Sequence, residues 1–404
     1  MASPDNAGGP VPGTERDGGS DTLPLHGLLV VSLEQAVAAP LASSRLADAG
    51  ARVIKLERAG DGDFARGYDD HAAGHSSYFT WLNRRKESCT VDLRSPADAE
   101  LVLRMLAKAD VFIQNLGPGA AARLGLGASD LRTRFPRLIT CEIRGYSETS
   151  ADRDRKAYDL MIQAEAGLAE ITGSEASGPS RVGISICDIT AGMTAHAQIV
   201  EALFKRERTG QGSAISVSLF DVAAEAMNIP YMAARNGGSP PRRVGLDHPS
   251  IAPYGAFDFQ DGKLLVAVQS EHEWAALCRQ MLGRSDLADD PRFASNGLRV
   301  ANRAALHELL RRCFAGMTVE AAIVRLEAAR IAWGRVSTLD DLIAHSALST
   351  VFATAGDARI EMVAGPAVVD GRRRGGGDVP SLGAHDIPLR SEYSVSAETG
   401  SGAS

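Results

Sequence analysis

The first third of the chain alternates between short apolar runs and segments whose apolar residues follow a helical spacing. The strand-like runs are Leu28–Leu33, Arg52–Leu56, Ser88–Leu93, Asp110–Gln114 and Leu138–Ile143. Helical spacing fills Ala38–Gly50. Ser95 is predicted to cap a second helix that has Pro96 at its first position and runs through Ala109. Strands that alternate with helices form βαβ units, whose strands lie parallel in one sheet. The sequence therefore predicts an α/β fold with a Rossmann-like large domain and a mainly parallel sheet.

The turn after the first predicted strand is where a Rossmann-type fold binds its dinucleotide. In this chain the turn reads EQAVAAP over residues 34–40, and the G-x-G-x-x-G fingerprint is missing. We therefore expect a Rossmann-like fold without its usual dinucleotide.

The pattern changes after a Gly/Pro/Arg-rich passage at Asn236–Gly245. A short β pair and several helices follow from Tyr254, and strands return around Ile360–Val369. We expect the large domain to comprise 23–230 and 331–394, with a smaller α/β domain inserted over 231–330. The polar, Gly-rich ends, 1–22 and 395–404, predict disordered tails.

The composition argues against several classes of partner and of cellular location. A net charge of −7 argues against general nucleic-acid binding, which needs a basic surface. No apolar run approaches the roughly 18 residues that a membrane span requires, and the N-terminus lacks an apolar signal core. Five cysteines without a C-x-x-C pair predict a reducing compartment and no metal site. We expect a cytoplasmic protein with no membrane or nucleic-acid partner.

One acidic residue, Asp188, follows an apolar segment and precedes a helical pattern that continues from Met193. The segment Val182–Ile186 predicts a strand that leads into a turn at Asp188. An acid at this place is typical of a helix N-cap. It is also suited to act as a carboxylate nucleophile among small residues. The local pattern leaves both interpretations open, and it predicts that Cys187 points away into the core.

Several ordered blocks of the sequence carry a family resemblance from about Leu23 to Tyr393. They include LHGLLVVSLEQAVAAP, ADAGARVIKLERAGDGDFARG, NRRKESCTVDLRSPAD, YDLMIQAEAGLAEITG, ALFKRERTGQG and WGRVSTLDDLIAHSAL. The chain resembles the family III CoA-transferases. The resemblance implies a Rossmann-like large domain, a small domain inserted late in the chain, and a homodimer of two interlocked rings.

The resemblance also implies a site. Asp188 occupies the position of the family's nucleophile, and coenzyme A esters are substrates, with no tightly bound cofactor. The implied coenzyme A contacts are Val37, Ala38, Arg58, Val91, Arg94, Asn115, Leu116, Arg123, Lys156 and Tyr158. The basic side chains among them would bind phosphates by charge-assisted hydrogen bonds. Any one Arg in so Arg-rich a chain could equally be a solvated surface residue.

Tyr158 separates the transferase interpretation from a racemase. The racemase branch of the family pairs the acid with a His at this position, and a two-base racemisation needs that second proton-transfer group. The resemblance therefore favours a transferase over an α-methylacyl-CoA racemase. A catalytically silent acyl-CoA-binding protein is the non-enzyme alternative.

The substrate acid is indicated by SLEQAVAAP and DHPSIAPYGAF, which resemble members that act on branched dicarboxylic acids of four or five carbons. Mesaconyl-, itaconyl- and succinyl-CoA are the candidate esters. Val37 replaces a Gln of formyl-CoA transferase, which argues against oxalate or formate. Gly237 and Gly238 are either a flexible lid or a plain linker, and His248 either binds the free carboxylate or is structural.

Overall fold

The structure is a computed structural model that describes residues 23–238 and 242–394. The predicted tails at 1–22 and 395–404 lie outside the described residues. In chain order, the elements of the first part are β1 (Leu29–Leu33), α1 (Ala38–Asp48), β2 (Arg52–Arg58), α2 (Ser77–Asn83), β3 (Lys86–Val91), α3 (Pro96–Lys108), β4 (Val111–Gln114), α4 (Ala120–Arg123), α5 (Ala128–Arg134), β5 (Ile139–Arg144), α6 (Asp159–Glu165), α7 (Leu168–Ile171), β6 (Gly173–Ser174), β7 (Gly178–Pro179), α8 (Ile186–Thr209) and β8 (Ala214–Ser218).

The elements of the second part follow the same order. They are α9 (Leu219–Ala226), α10 (Asn228–Arg235), β9 (Tyr254–Phe259), β10 (Gly262–Ala267), α11 (Glu271–Ala276), α12 (Asn296–Ala301), α13 (Arg303–Phe314), α14 (Val319–Ala328), β11 (Ala332–Arg335), α15 (Leu339–Ile343), β12 (Thr350–Ala355), β13 (Ala358–Val363), β14 (Val368–Val369), β15 (Arg372–Arg373), β16 (Gly377–Val379) and α16 (Asp386–Glu392).

The main sheet has six strands in the order β3-β2-β1-β4-β5-β8. The pairings from β3 through β5 are all parallel. β1 is buried at every position, as expected for a parallel strand covered on both faces. The chain leaves β1 toward β2 on one side and returns beside it as β4 on the other, which makes a topological switch point at the carboxyl end of β1. The predicted α/β fold with a parallel sheet is confirmed.

The core of this sheet is apolar and closely packed. Val31, Ile54 and Phe112 from adjacent strands pack with Met105 of α3, and all four are at most 1% exposed. Burying each such side chain contributes about 1.5–3 kcal/mol. The same cluster contains Leu389 and Tyr393 from the far end of the chain. The C-terminal segment is therefore part of this core, although more than three hundred residues separate it from β1.

The chain divides into two compact units. One takes in the chain up to Arg144, Ala191–Val217 and the chain from Thr350 onward, and the other is Gly145–Thr190 with Ser218–Ser349. The second unit has its own antiparallel sheet, β11-β10-β9, and a core that includes Trp274. The domain limits expected at 230 and 330 stay a prediction.

Two absences hold for the ranges 23–238 and 242–394. No helix there combines the length and the apolar character needed to cross a bilayer. No group of His, Cys, Asp and Glu side chains there is arranged to hold a metal ion.

Candidate active site

A cavity of about 510 Å³ opens in the first unit at the carboxyl ends of the parallel strands. This is the edge at which open α/β sheets bind ligands. The cavity is lined by Leu33, Glu34, Gln35, Leu56, Glu57, Arg58, Ala59, Gly62, Asp63, Val91, Asp92, Leu93, Arg94, Leu116 and Leu124. Four of the predicted coenzyme A contacts, Arg58, Val91, Arg94 and Leu116, therefore line one cavity.

The turn between β1 and α1 forms part of this region and is held by side chains from elsewhere in the unit. Asn115 accepts the backbone N–H of Gln35 and donates to its carbonyl, both at 2.9 Å. The N–H of Ala36 donates to Asp63 at 3.1 Å. Val37 then occupies the N-cap position of α1 and Ala38 begins the helix, and each is 3% exposed. The side chain of Asn115 is thus committed to fixing this turn.

The predicted phosphate-binding arginines are paired with neighbouring carboxylates. Arg58 contacts Asp61 at 2.8 Å and Arg94 contacts Asp92 at 2.9 Å, and both arginines are largely exposed. Exposed ion pairs of this kind contribute little, so an incoming phosphate displaces them at small cost. Arg123 lies in the last turn of α4 and is exposed. These arginines can bind phosphate without first leaving a stable partner.

Asp188 lies in the first turn of α8. The strand expected at Val182–Ile186 is wrong, because residues 182–185 form no strand and the helix already begins at Ile186. The apolar alternation there does not reflect burial, since Ile184 is 55% exposed. Asp188 is therefore a helical residue and is not in a turn that follows a strand.

The N-terminus of α8 is capped by Asp159, a buried residue at the start of α6. One oxygen of its carboxylate accepts the backbone N–H groups of Cys187 at 2.7 Å and Asp188 at 3.2 Å. The other oxygen accepts Nε2 of Gln163 at 2.6 Å. Among the described residues, no hydrogen bond ends on the carboxylate of Asp188. The capping role considered for Asp188 thus belongs to Asp159, and the Asp188 carboxylate is available for chemistry.

The electrostatics around Asp188 favour a reactive carboxylate. Its side chain is half-buried, and burial, with a smaller contribution from the Asp159 charge, raises its pKa to about 7. A poorly solvated carboxylate with a raised pKa is a stronger nucleophile when ionised than one free in water. Near neutral pH this group is divided between its acidic and its ionised form.

Cys187 beside it is 2% exposed, and burial raises its thiol pKa to about 12. The thiol stays protonated at neutral pH and cannot serve as a nucleophile. Its place in the core agrees with the expectation, although it lies on a helix and not on the strand from which that expectation came.

The remaining predicted residues lie in the second unit. Lys156 is exposed, and Tyr158, at the N-cap position of α6, is 64% exposed. Gly237 and Gly238 follow the end of α10, and the N–H of Gly238 donates to the Ala233 carbonyl. Gly237 has a φ of 80°, so it is suited to ending a helix.

His248 is fixed by its neighbours in the second unit. Its ring stacks on Tyr254 with centroids 5.2 Å apart, and its Nδ1 accepts the N–H of Ser250 at 3.1 Å. Its backbone N–H also donates to the Tyr254 carbonyl at 2.8 Å. These contacts hold the ring in place, and both roles considered for His248 stay predictions.

Two groups of residues near the site were not predicted from the sequence. Asp159 follows Tyr158 directly and is an acid in the first turn of a helix, which was the available signal. The second group is a buried ionic network below the β1–α1 turn, formed by Glu34, Lys55, Asp63 and Lys86. The signal for this group was Lys55, a charged residue within the apolar run of β2.

The chain is similar to known proteins along most of its length. The sequence model of CoA-transferase family III matches residues 25–386. The chain belongs to CoA-transferase family III. It is therefore an enzyme of the CoA-transferase type, with coenzyme A thioesters as its class of substrate.

Named relatives and a solved structure agree with this membership. An acetyl-CoA:oxalate CoA-transferase from Acetobacter aceti is 38% identical over 288 residues, covering 71% of this chain and 74% of the relative. A succinyl-CoA:glutarate CoA-transferase from Mus musculus is 33% identical over 326 residues, covering 80% and 74%. The crystal structure of a CAIB/BAIF family protein from Brucella suis superposes with a TM-score of 0.78 at 32% identity, covering 92% of this chain and 99% of that one.

Proposed function

We propose that this family III CoA-transferase moves coenzyme A between dicarboxylic acids of four or five carbons, with Asp188 as its covalent nucleophile. The observation that carries the proposal is the state of Asp188. Its backbone is fixed by Asp159, its carboxylate accepts no hydrogen bond from the described residues, and burial raises its pKa to about 7. A carboxylate that served only as a helix cap would be bonded to backbone N–H groups.

The first half of the reaction begins with ionised Asp188 attacking the thioester carbonyl of the donor. The C–S bond breaks and coenzyme A leaves as its thiolate, so that the donor acyl group and Asp188 form a mixed anhydride. The thiolate then attacks the aspartyl carbonyl and releases the donor acid as a carboxylate. The enzyme now carries an aspartyl-CoA thioester.

The second half reverses these steps with another acid. The acceptor carboxylate attacks the aspartyl thioester, which forms a new mixed anhydride and again frees the thiolate. Attack of the thiolate on the acceptor's acyl carbonyl yields the new coenzyme A ester and restores Asp188. No step needs a metal ion or a redox group, and exclusion of water protects both anhydrides from hydrolysis.

Coenzyme A is assigned to the cavity at the carboxyl ends of β1, β2 and β3. Arg58 and Arg94 at its wall would exchange their exposed carboxylate partners for phosphates. Its volume of about 510 Å³ falls in the range of small-molecule sites. Arg123 and Lys156 remain proposed contacts.

A dicarboxylate of four or five carbons is proposed as the acid, and the shorter oxalate is not, for two reasons. One relative is named for succinyl-CoA and glutarate, which are four- and five-carbon diacids. The Acetobacter relative is named for oxalate, the shortest diacid, but the apolar Val37 offers no side-chain hydrogen bond to so small an acid. Mesaconate and itaconate belong to the same size class. The interlocked homodimer and the cytoplasmic location stay predictions.

The test incubates the purified protein with succinyl-CoA, mesaconyl-CoA or itaconyl-CoA and a panel of free mono- and dicarboxylates. Products are separated by chromatography, so that an intramolecular shift between two carboxyls is also seen, and are identified by mass spectrometry. We expect new esters with four- and five-carbon diacids and none with oxalate. Exchange of the α-proton in D₂O without transfer would indicate a racemase. Tight acyl-CoA binding with neither reaction would indicate a silent binding protein.

A further inference from the structure

Two lysines lie fully buried in adjacent parallel strands of the first unit, one in the middle of β2 and the other at the start of β3. Lys55 of β2 and Lys86 of β3 have no exposed side-chain surface, and neither has Glu34, the residue that follows β1. Charged groups this deeply buried are costly, and a pair of apolar residues is often at least as stable. Stability alone is therefore a poor explanation for this network.

Lys55 is connected to the β1–α1 turn by two contacts. Its ammonium donates to the backbone carbonyl of Glu34 at 3.2 Å and to Oδ2 of Asp63 at 2.8 Å. The other oxygen of Asp63, Oδ1, accepts the N–H of Ala36 at 3.1 Å and that of Ala65 at 2.9 Å. A continuous chain of contacts thus runs from β2 through Asp63 to the middle of the turn.

Lys86 fixes the other end of the same turn. Its ammonium donates to Oε1 of Glu34 at 2.6 Å, to the carbonyl of Pro40 at 3.1 Å and to Oδ1 of Asn83 at 3.0 Å. The second carboxylate oxygen of Glu34 accepts the hydroxyl of Ser43 at 2.7 Å. The start of the turn and the first helical turn of α1 are thereby tied to one buried charge.

The turn itself needs such support. Ala36 has a φ of 61°, the left-handed region in which a side chain with a Cβ is disfavoured. The hydrogen bond from its N–H to Asp63 fixes this conformation, and the next two residues, Val37 and Ala38, are proposed coenzyme A contacts. If Ala36 relaxed to a negative φ, the backbone that follows it would change direction.

We propose that Asp63, held by Lys55, is a positioning residue that keeps Ala36 in its left-handed conformation and so presents the backbone of Val37 and Ala38 to coenzyme A. This inference rests on the proposed function, because Gln35 of the turn lines the cavity to which coenzyme A is assigned. It goes further by naming residues that act through the turn without touching the ligand.

The experiment compares Asp63→Ala, Ala36→Gly and the double variant of the full-length protein. Glycine adopts a positive φ without penalty, so Gly at position 36 restores the turn when Asp63 no longer holds it. Titration calorimetry gives the Kd for free coenzyme A, and kinetics with the productive ester pair separate KM from kcat. Asp63→Asn is the second variant if Asp63→Ala does not fold, because its amide oxygen can still accept from Ala36.

A matched control lies at the amino end of the same sheet. Asp110 accepts the N–H of Leu29 at 2.8 Å and pairs with the buried Arg206 at 2.9 Å, so it resembles Asp63 in both contacts. Asp110→Ala removes a partly buried ion pair and a backbone contact of β1 without touching the β1–α1 turn. A loss of stability alone would therefore affect both variants alike.

We expect Asp63→Ala to raise Kd and KM about tenfold with little change in kcat, as for loss of one charge-assisted hydrogen bond. The double variant should recover most of this loss, and Asp110→Ala should leave Kd within about twofold. If Asp63→Ala leaves Kd unchanged, or Gly at position 36 gives no recovery, the positioning role is wrong. If Asp63→Asn must be used, we expect KM to rise less than in Asp63→Ala. If neither KM nor Kd changes in Asp63→Asn, the positioning role of Asp63 is wrong. Failure of the wild-type protein to bind coenzyme A would overturn the proposed function, and this inference with it.

Discussion

The carboxylate of Asp159 accepts the backbone N–H of Asp188 at 3.2 Å, so one acid holds the main chain of the other. The same oxygen accepts the N–H of Cys187 at 2.7 Å. Asp159 thereby satisfies two of the backbone donors at the start of α8, which have no acceptor within the helix. Its negative charge also adds to the burial that raises the pKa of Asp188. This relationship leads to the first three predictions.

The pH dependence of transfer should report Asp188. Because the ionised carboxylate attacks the thioester and burial raises its pKa to about 7, kcat/KM should rise with pH and reach half its limit near pH 7. Initial rates between pH 5 and 9 with saturating acceptor acid check this. A flat profile from pH 5 upward would mean that the nucleophile has an ordinary carboxyl pKa.

Replacement of Asp159 should impair catalysis through Asp188. In Asp159→Asn the new side-chain NH₂ faces Nε2 of Gln163, so that two hydrogen-bond donors are in contact. The substitution also removes the negative charge that helps to raise the pKa of Asp188. We expect kcat to fall about tenfold or more and the pH midpoint to move below 7. An unmoved midpoint would show that Asp159 does not act on the Asp188 charge. The matched control is Asp221→Asn, because Asp221 is also an acid in the first turn of a helix but is exposed.

Asp188→Asn should stabilise the folded protein while it abolishes transfer. The folded state holds the Asp188 proton up to about pH 7, whereas the unfolded chain releases it near 3.8. The folded protein therefore binds more protons across that window, and its stability falls as the pH rises through it. We expect a gain of about 1–3 kcal/mol at pH 8 that disappears at pH 4. Urea unfolding of both proteins at the two pH values measures it, and a gain that is equal at both would contradict the raised pKa.

Arg94 should contribute to coenzyme A affinity and not to the chemical step. Arg94→Ala is expected to raise Kd about three- to tenfold with kcat nearly unchanged, because one exposed phosphate contact is lost. Arg292 offers a close match, since it bonds Asp290 through backbone and guanidinium as Arg94 bonds Asp92. Calorimetric titration with coenzyme A compares the two variants. Equal affinities for both would remove Arg94 from the site.

Much of the main sheet was predictable because each of its strands is defined by a short run of apolar residues. Buried Val and Ile runs placed β1 and β2 within a residue or two of their ends, and Pro96 begins α3 as its fixed φ requires. Even there the sequence overstated one detail, since Ser95 occupies the N-cap position without a side-chain hydrogen bond. Elements defined by local periodicity were therefore predicted well.

The site depended on contacts that no local window contains. The helix α8 extends back to Ile186 because Asp159, almost thirty residues earlier, accepts its first N–H groups. Lys55 lies in the apolar run of β2 and Lys86 begins β3, and the burial of both depends on Glu34 and Asp63 in other segments. The role of Asp188 was predicted from family resemblance, whereas its contact with Asp159 is visible only in three dimensions.

If Asp188 is the nucleophile, it becomes covalently attached to coenzyme A during turnover. The enzyme is mixed with succinyl-CoA and quenched in acid, and the masses of its peptides are measured. We expect a peptide containing Asp188 that is heavier by coenzyme A minus water, is cleaved by hydroxylamine, and is absent in Asp188→Asn. Full turnover by Asp188→Asn, or the adduct on another residue, would contradict it.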